Sequence, residues 1–187
     1  MIALAYDVRG HGESGGKADF STLFDDPGQA PLDLKAAIAY LLKTGKVDES
    51  RVALVGASIG SNLAVMASGK PEFSIKTAVA ISGKTSAVYN LAGAKEDELS
   101  FGSIYHIASA NEQDGLRAKW AEELFERTTA PRKIEIVENS ASHGVAIFED
   151  GPALAGRILK WLKHTTSAHQ KQETRYICTA FQRKPPN

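Results

Sequence analysis

The chain has 187 residues, of which 43% are hydrophobic and 24% are charged, which is close to ordinary globular usage and suggests neither a disordered nor a membrane protein. Its 22 Lys and Arg residues balance 22 Asp and Glu residues, which argues against a nucleic-acid-binding surface and favours a small-molecule partner. No apolar run approaches the roughly 18 residues of a membrane span, so we expect no membrane association and a cytoplasmic location.

Apolar runs alternate with amphipathic stretches along the chain, which is typical of parallel βαβ units. The predicted strands are residues 2–8, 51–56, 76–82, 104–109 and 133–137. The predicted helices are residues 33–45, 62–68, 116–127 and 152–163. We therefore expect an α/β fold in which a parallel sheet of about five strands is flanked by helices. Residues 1–164 should form this core, and residues 165–187 should form a polar, disordered tail.

The second predicted strand leads directly into G-A-S-I-G at residues 56–60, and a predicted helix follows. This is the Gly-x-Ser-x-Gly pattern, in which a sharp strand-to-helix turn exposes the serine above the sheet. Ser58 is therefore the predicted nucleophile. The backbone N–H of Ile59 opens the following helix, where the helix dipole favours negative charge, and it is the predicted oxyanion-hole donor.

The segment D-V-R-G-H-G-E-S at residues 7–14 follows the first predicted strand. Together with the serine turn, it resembles the α/β-hydrolase family, including its serine esterases and dienelactone-type hydrolases. In that family this segment shapes a loop, so the resemblance assigns His11 a structural role.

The resemblance also implies the order nucleophile, acid, histidine. His143 lies in the loop after the last predicted strand and is therefore the candidate base. The acid should follow the strand at residues 104–109, where Glu112 and Asp114 both occur. Counting from the strand end favours Glu112, whereas counting back from the next helix favours Asp114. We select Asp114 as the third member of a Ser-His-Asp triad and keep Glu112 as the alternative.

The resemblance enters the family fold at its fourth strand, so the chain looks like an α/β-hydrolase that is truncated at its N-terminus. The oxyanion loop after the third strand has no counterpart. The family sheet order would leave a vacant position between residues 2–8 and 51–56, and we expect these two strands to move together and pair directly.

The leading hypothesis is a carboxylesterase that acts on small acyl esters through an acyl-enzyme. Neither a metal site nor a cofactor motif is present in the sequence, so we expect cofactor-free chemistry. Two alternatives stay open. One is a catalytically impaired or non-catalytic remnant of the family, and the other is a peptidase or thioesterase of the same fold.

Overall fold

The computed structural model describes residues 1–16, 19, 21–96 and 98–167. The predicted tail lies outside the described residues from position 168 onward. The described part forms four strands, namely β1 (Ala53–Ala57), β2 (Thr77–Ile81), β3 (Ile104–Ser109) and β4 (Lys133–Val137). Its α-helices are α1 (Thr22–Asp25), α2 (Ala30–Lys43), α3 (Ile59–Ser68), α4 (Thr85–Ala92), α5 (Leu116–Glu126), α6 (Ile147–Asp150) and α7 (Leu154–Thr165).

The four strands form one parallel sheet in the order β1-β2-β3-β4. Every residue of β2 and β3 is buried, which explains why these segments are continuous apolar runs in the sequence. Because parallel neighbours need crossover connections, the helices lie on the two faces of the sheet. The predicted α/β fold with a parallel sheet flanked by helices is therefore confirmed, with four strands in the described part.

Two apolar clusters hold the layers together, one on each face of the sheet. Ala78 and Ala80 of β2 face a cluster that contains α3, α4 and Leu124 of α5. Val79 and Ile81 point to the opposite face, where they meet α6 and α7. The small side chains on the first face let α3 approach the strands closely, and α3 is the helix that begins beside Ser58.

The predicted first strand is wrong, because residues 1–8 form no strand and make no backbone hydrogen bond to β1 within the described part. The segment is anchored elsewhere. The backbone N–H of Arg9 donates to Asp33 Oδ2 at 3.0 Å, and its guanidinium forms an ion pair with the same carboxylate. The Ser14 hydroxyl donates to the Asp7 carbonyl at 2.7 Å. These contacts hold the segment to α2 and to its own loop, so the expected movement toward β1 does not occur.

As a result, β1 is an open edge strand. Lys76 N–H donates to the Val52 carbonyl and Ser58 N–H donates to the Ile81 carbonyl, both at 2.9 Å, so the even-numbered residues of this segment bond to β2. The alternate residues Ala53, Val55 and Ala57 direct their N–H and C=O groups to the open side. Val55 is 55% exposed there, which is unusual for an apolar residue in the middle of a strand.

Candidate active site

Ser58 occupies the turn between β1 and α3. Its φ of 55° lies in the left-handed region, which a side-chain-bearing residue adopts only when its surroundings impose it. Gly56 is required for this turn because a Cβ there would lie 2.0 Å from the Gly60 carbonyl oxygen. At Gly60, by contrast, an added Cβ would point into open space. The two glycines of the motif therefore have different importance in this chain.

His143 lies in the loop between β4 and the turn that precedes α6. Its Nε2 is 2.8 Å from Ser58 Oγ. The next residue, Gly144, has φ 58°, and a Cβ added there would lie 3.8 Å from Ala57 Cβ and 4.0 Å from Ser58 Cβ. A positive-φ glycine thus lets the histidine loop pass close to the serine turn. The imidazole side chain is 45% exposed, so it is open to a substrate and to solvent.

The carboxylate beside His143 belongs to Glu112 and not to Asp114. Glu112 Oε1 lies 2.5 Å from His143 Nδ1, and its side chain is only 6% exposed. Asp114 is exposed and makes no such contact. The prediction that Asp114 contacts His143 is therefore wrong. The alternative, Glu112, which is favoured by counting from the end of β3, is the residue that contacts the imidazole.

Backbone conformation explains why Asp114 points away. Gln113 and Asp114 have φ values of 51° and 55°, and Gly115 has φ 84° at the start of α5. Three successive left-handed residues turn the chain sharply outward immediately after Glu112. The carboxylate nearest the strand end is therefore directed inward, and the next one projects into solvent.

Two buried polar residues behind Glu112 carried no signal in the sequence. Ser82 follows β2 directly and is fully buried, and its hydroxyl donates to Glu112 Oε2 at 3.0 Å. Arg117 lies in the first turn of α5, and its Nε is 3.1 Å from Glu112 Oε1. A residue directly after a strand and a charge in a first helical turn are common, so only the three-dimensional arrangement identifies them.

The predicted oxyanion donor, Ile59, is the first residue of α3. The first N–H groups of a helix have no partner within the helix and are available to a ligand. No acceptor for this N–H is found among the described residues. Since α3 is ten residues long, its N-terminus also contributes a favourable dipole for negative charge at this point.

A groove of about 480 Å³ opens beside the serine turn, between residues 4–8 and the free edge of β1. Ala57, Ile59 and Gly60 line one of its walls, and His11 lines the other. His11 is exposed, and its Nδ1 lies 3.3 Å from the Arg9 carbonyl oxygen. Its position is consistent with a loop role, and it makes no contact with Ser58 in the described part of the chain.

His106 of β3 is buried, and it is separate from this site. Its Nε2 is 2.9 Å from Thr128 Oγ1, and burial lowers its pKa to about 3, so the imidazole is neutral. Across the described residues, no group of three or more His, Cys, Asp or Glu side chains could hold a metal ion. None of the helices in the same residues is long and apolar enough to cross a membrane.

Comparison with known families gives one sequence match. The profile of the prolyl oligopeptidase family matches residues 1–122, which is more than half of the chain and includes Ser58 and Glu112. His143 lies beyond the matched range. A search of curated proteins found no match.

Solved structures share the fold at low sequence identity. An esterase from Pyrococcus furiosus has a TM-score of 0.65 and 18% identity, with 87% of this chain and 69% of that chain covered. The α/β-hydrolase GrgF from Penicillium has a TM-score of 0.61 and 14% identity, covering 86% and 78%. The AtxE2 isopeptidase with Astexin3-dC4 bound has a TM-score of 0.51 and 15% identity, covering 81% and 28%. At these identities the similarity establishes the α/β-hydrolase fold alone.

Proposed function

Because the chain belongs to the prolyl oligopeptidase family of α/β-hydrolases, we propose that it is a serine hydrolase in which Ser58, His143 and Glu112 form the catalytic triad. One observation carries this proposal. A continuous chain of contacts runs from Ser58 Oγ to His143 Nε2 at 2.8 Å and from His143 Nδ1 to Glu112 Oε1 at 2.5 Å. A serine hydroxyl becomes a useful nucleophile only when such a base takes its proton.

In the proposed reaction, Ser58 Oγ attacks the carbonyl carbon of an acyl substrate while its proton passes to His143 Nε2. Glu112 accepts the Nδ1–H hydrogen bond, which keeps the neutral imidazole in the tautomer with a free Nε2 and stabilises the imidazolium that forms. The imidazolium then protonates the leaving group, and an acyl-Ser58 ester is left. Water, activated by the same imidazole, attacks this ester and releases the acid.

Ile59 N–H is the proposed donor to the tetrahedral oxyanion. It belongs to the residue directly after the nucleophile, so the same turn that exposes Ser58 aims this N–H toward the developing charge. Loss of a single oxyanion donor slows comparable sites by about a hundred- to a thousandfold, so this N–H should contribute strongly to turnover.

Esters of small acyl groups are the proposed substrates, because the His143 imidazole is 45% exposed and an alkoxide leaving group needs less help than an amine. Family membership favours a second candidate, the cleavage of peptide bonds. Hydrolysis of p-nitrophenyl acetate, butyrate and octanoate should be compared with that of an N-blocked prolyl p-nitroanilide. Ester turnover that disappears in Ser58→Ala supports the proposal, and faster anilide cleavage would favour the peptidase.

The proposal includes a cytoplasmic location and a small-molecule partner, both of which were expected from the sequence. Cell fractionation with an antibody to the chain tests the location. Activity on the p-nitrophenyl series, with chain length varied, tests the partner class. Equal, Ser58-independent hydrolysis of all these compounds would leave a non-catalytic member of the family as the better description.

A further inference from the structure

A buried ion pair lies directly behind the acid of the proposed triad. Arg117 Nε is 3.1 Å from Glu112 Oε1, and the two side chains are 10% and 6% exposed. The Nε–H does not align with the oxygen as a hydrogen bond, so the contact is ionic. Oε1 is the same oxygen that contacts His143 Nδ1, so the guanidinium and the imidazole share one carboxylate oxygen.

The guanidinium is fixed in position by groups other than the carboxylate. Its Nη1 donates to the Ser82 carbonyl at 2.9 Å and contacts the Gly83 carbonyl at 3.3 Å. Its central carbon lies 5.1 Å from the centre of the Trp120 ring. Burial lowers the pKa of Arg117, and the charge of Glu112 opposes that effect. An arginine stays protonated even so, and the positive charge is therefore permanent.

The hydroxyl of Ser82 connects the acid to the histidine loop. It donates to Glu112 Oε2 at 3.0 Å and accepts from the backbone N–H of Gly144, also at 3.0 Å. Gly144 is the residue after His143. The Ser82 hydroxyl thus links three segments to one another, namely the end of β2, the loop after β3 and the loop after β4. Ser82 itself has φ 56°, so the chain is held in an unfavourable conformation where this bridge forms.

We propose that Arg117 and Ser82 are positioning residues for the Glu112–His143 pair, with Arg117 holding the charge on the buried carboxylate and Ser82 holding the distance between the two loops. This inference rests on the proposed function, because it assigns a purpose to the geometry of the same site. Neither residue touches the reacting atoms. Each acts through Glu112, and Ser82 also acts through the backbone of the residue next to His143.

The charge of Arg117 has a testable consequence for the imidazole. A permanent positive charge that shares Oε1 with His143 disfavours a second positive charge on the ring. Charged side chains on the neighbouring segments include Lys84, which lies 6.0 Å from the Trp120 ring centre, Asp114 in the same turn as Glu112, and Asp150 of α6, which accepts a hydrogen bond from Ser140. Removing Arg117 leaves these unchanged, so the protonated imidazole should then persist to higher pH.

The first experiment compares Arg117→Met with Lys119→Met. Both variants remove one positive charge from α5, but Lys119 is 70% exposed, and its Nζ pairs with Glu123 Oε1 at 3.9 Å. The rate constant for fluorophosphonate labelling is measured from pH 5 to 9. We expect Arg117→Met to move the midpoint upward by about 1 pH unit and to lower the plateau about ten- to a hundredfold. Lys119→Met should match the unmodified chain in both respects.

Two further variants separate charge from structure. Arg117→Lys keeps the charge, so its midpoint should stay near that of the unmodified chain even if its plateau falls. Ser82→Gly removes the hydroxyl at a positive-φ position that glycine adopts without strain. The relieved backbone strain offsets part of the cost of the two lost hydrogen bonds, so the variant should stay folded at the assay temperature. Its plateau should fall about tenfold, because a shift of about 1 Å at a catalytic group costs up to a hundredfold.

NMR titration of the His143 ring provides a readout that needs no turnover. If the unmodified chain is not labelled, the proposed function fails, but the His143 midpoints of the chain and of Arg117→Met still decide whether Arg117 acts on the imidazole. If the chain is labelled and Arg117→Met matches Lys119→Met in labelling and titration, the positioning role is overturned while the proposed function stands. An upward shift of His143 specific to Arg117→Met supports the inference.

Discussion

Glu112→Gln is the substitution that should damage the proposed mechanism most without touching the nucleophile or the base. The Glu112 side chain is 6% exposed and lies 2.5 Å from His143 Nδ1. A Gln amide there can donate to Nδ1 and favour the tautomer with a proton on Nε2, which cannot accept the serine proton. Disruption of this kind lowers kcat by about 10⁴-fold in a related triad, or roughly 5.5 kcal/mol at 1.36 kcal/mol per decade.

The same substitution should also destabilise the fold. Arg117 would become a buried cation without a counter-charge, and breaking a buried pair by removing one partner costs about 3–5 kcal/mol. Activity must therefore be compared only where circular dichroism and urea unfolding show that the variant is folded. Under conditions in which the variant is folded, a loss of ester hydrolysis is due to the changed triad and not to unfolding.

Asp114→Asn is the matched control, because it makes the same chemical change two residues away on an exposed side chain. Surface substitutions of this kind usually alter stability by less than about 0.5 kcal/mol, and we expect kcat/KM for p-nitrophenyl butyrate to change by no more than about twofold. Steady-state kinetics of both variants, measured side by side, is the assay. A large loss in Asp114→Asn with near-normal activity in Glu112→Gln would refute the reasoning and restore Asp114 as the acid.

The remaining predictions concern the turn, the core and the open edge. Gly56→Ala should prevent stable folding, because its Cβ would meet the Gly60 carbonyl oxygen at 2.0 Å, whereas Gly60→Ala should fold with a similar melting temperature; thermal unfolding distinguishes them. Burial lowers the pKa of His106 from 6.5 to about 3, so the unfolded chain binds more protons than the folded chain between these pH values. The free energy of unfolding should therefore fall as pH drops below 6.5, by at most about 1.4 kcal/mol per pH unit. His106→Leu should reduce this dependence of the free energy of unfolding on pH, measured by urea unfolding from pH 4 to 7, and an unchanged dependence would contradict the assignment. Val55 is 55% exposed on an unpaired strand edge, so Val55→Lys should leave the melting temperature nearly unchanged and reduce self-association of the chain in sedimentation velocity. Equal self-association of the variant and the unmodified chain would mean that the edge of β1 does not mediate it.

The parts of the site that follow local rules could be predicted from the sequence. The turn around Ser58 needs a strand, a tight turn and a helix in immediate succession, and all three are visible in the residues that form them. The position of His143 followed from the order of elements in the family. Here the spacing along the chain and the position in space agree, because the ends of parallel strands converge at one edge of the sheet.

The sequence could not show which carboxylate contacts His143, because this depends on the backbone conformation of a short turn. Glu112 and Asp114 are two residues apart, and both are polar and acidic. Three left-handed residues in succession decide which carboxylate faces inward, and two of them, Gln113 and Asp114, are not glycines. A sequence offers little signal for positive φ at such residues. Arg117 and Ser82 were missed for a related reason, since their role arises from contacts between four separate segments.

The error at residues 2–8 has a different origin. Their composition is that of a strand, but a strand exists only where its backbone finds a partner. The Arg9 pair with Asp33 anchors the segment to α2, beyond hydrogen-bonding reach of β1. Composition describes what a segment could form, and here the tertiary anchor overrides that preference.

Covalent labelling by a fluorophosphonate tests the central claim most directly, because only a serine with an adjacent base reacts readily with this reagent. The chain is incubated with the reagent at pH 8, digested and analysed by mass spectrometry, with Ser58→Ala and His143→Gln as controls. We predict one modified residue, Ser58, with no modification in Ser58→Ala and at least a hundredfold slower labelling in His143→Gln. Labelling of another serine, or labelling at an undiminished rate in His143→Gln, would contradict the proposal that Ser58 is a nucleophile activated by His143.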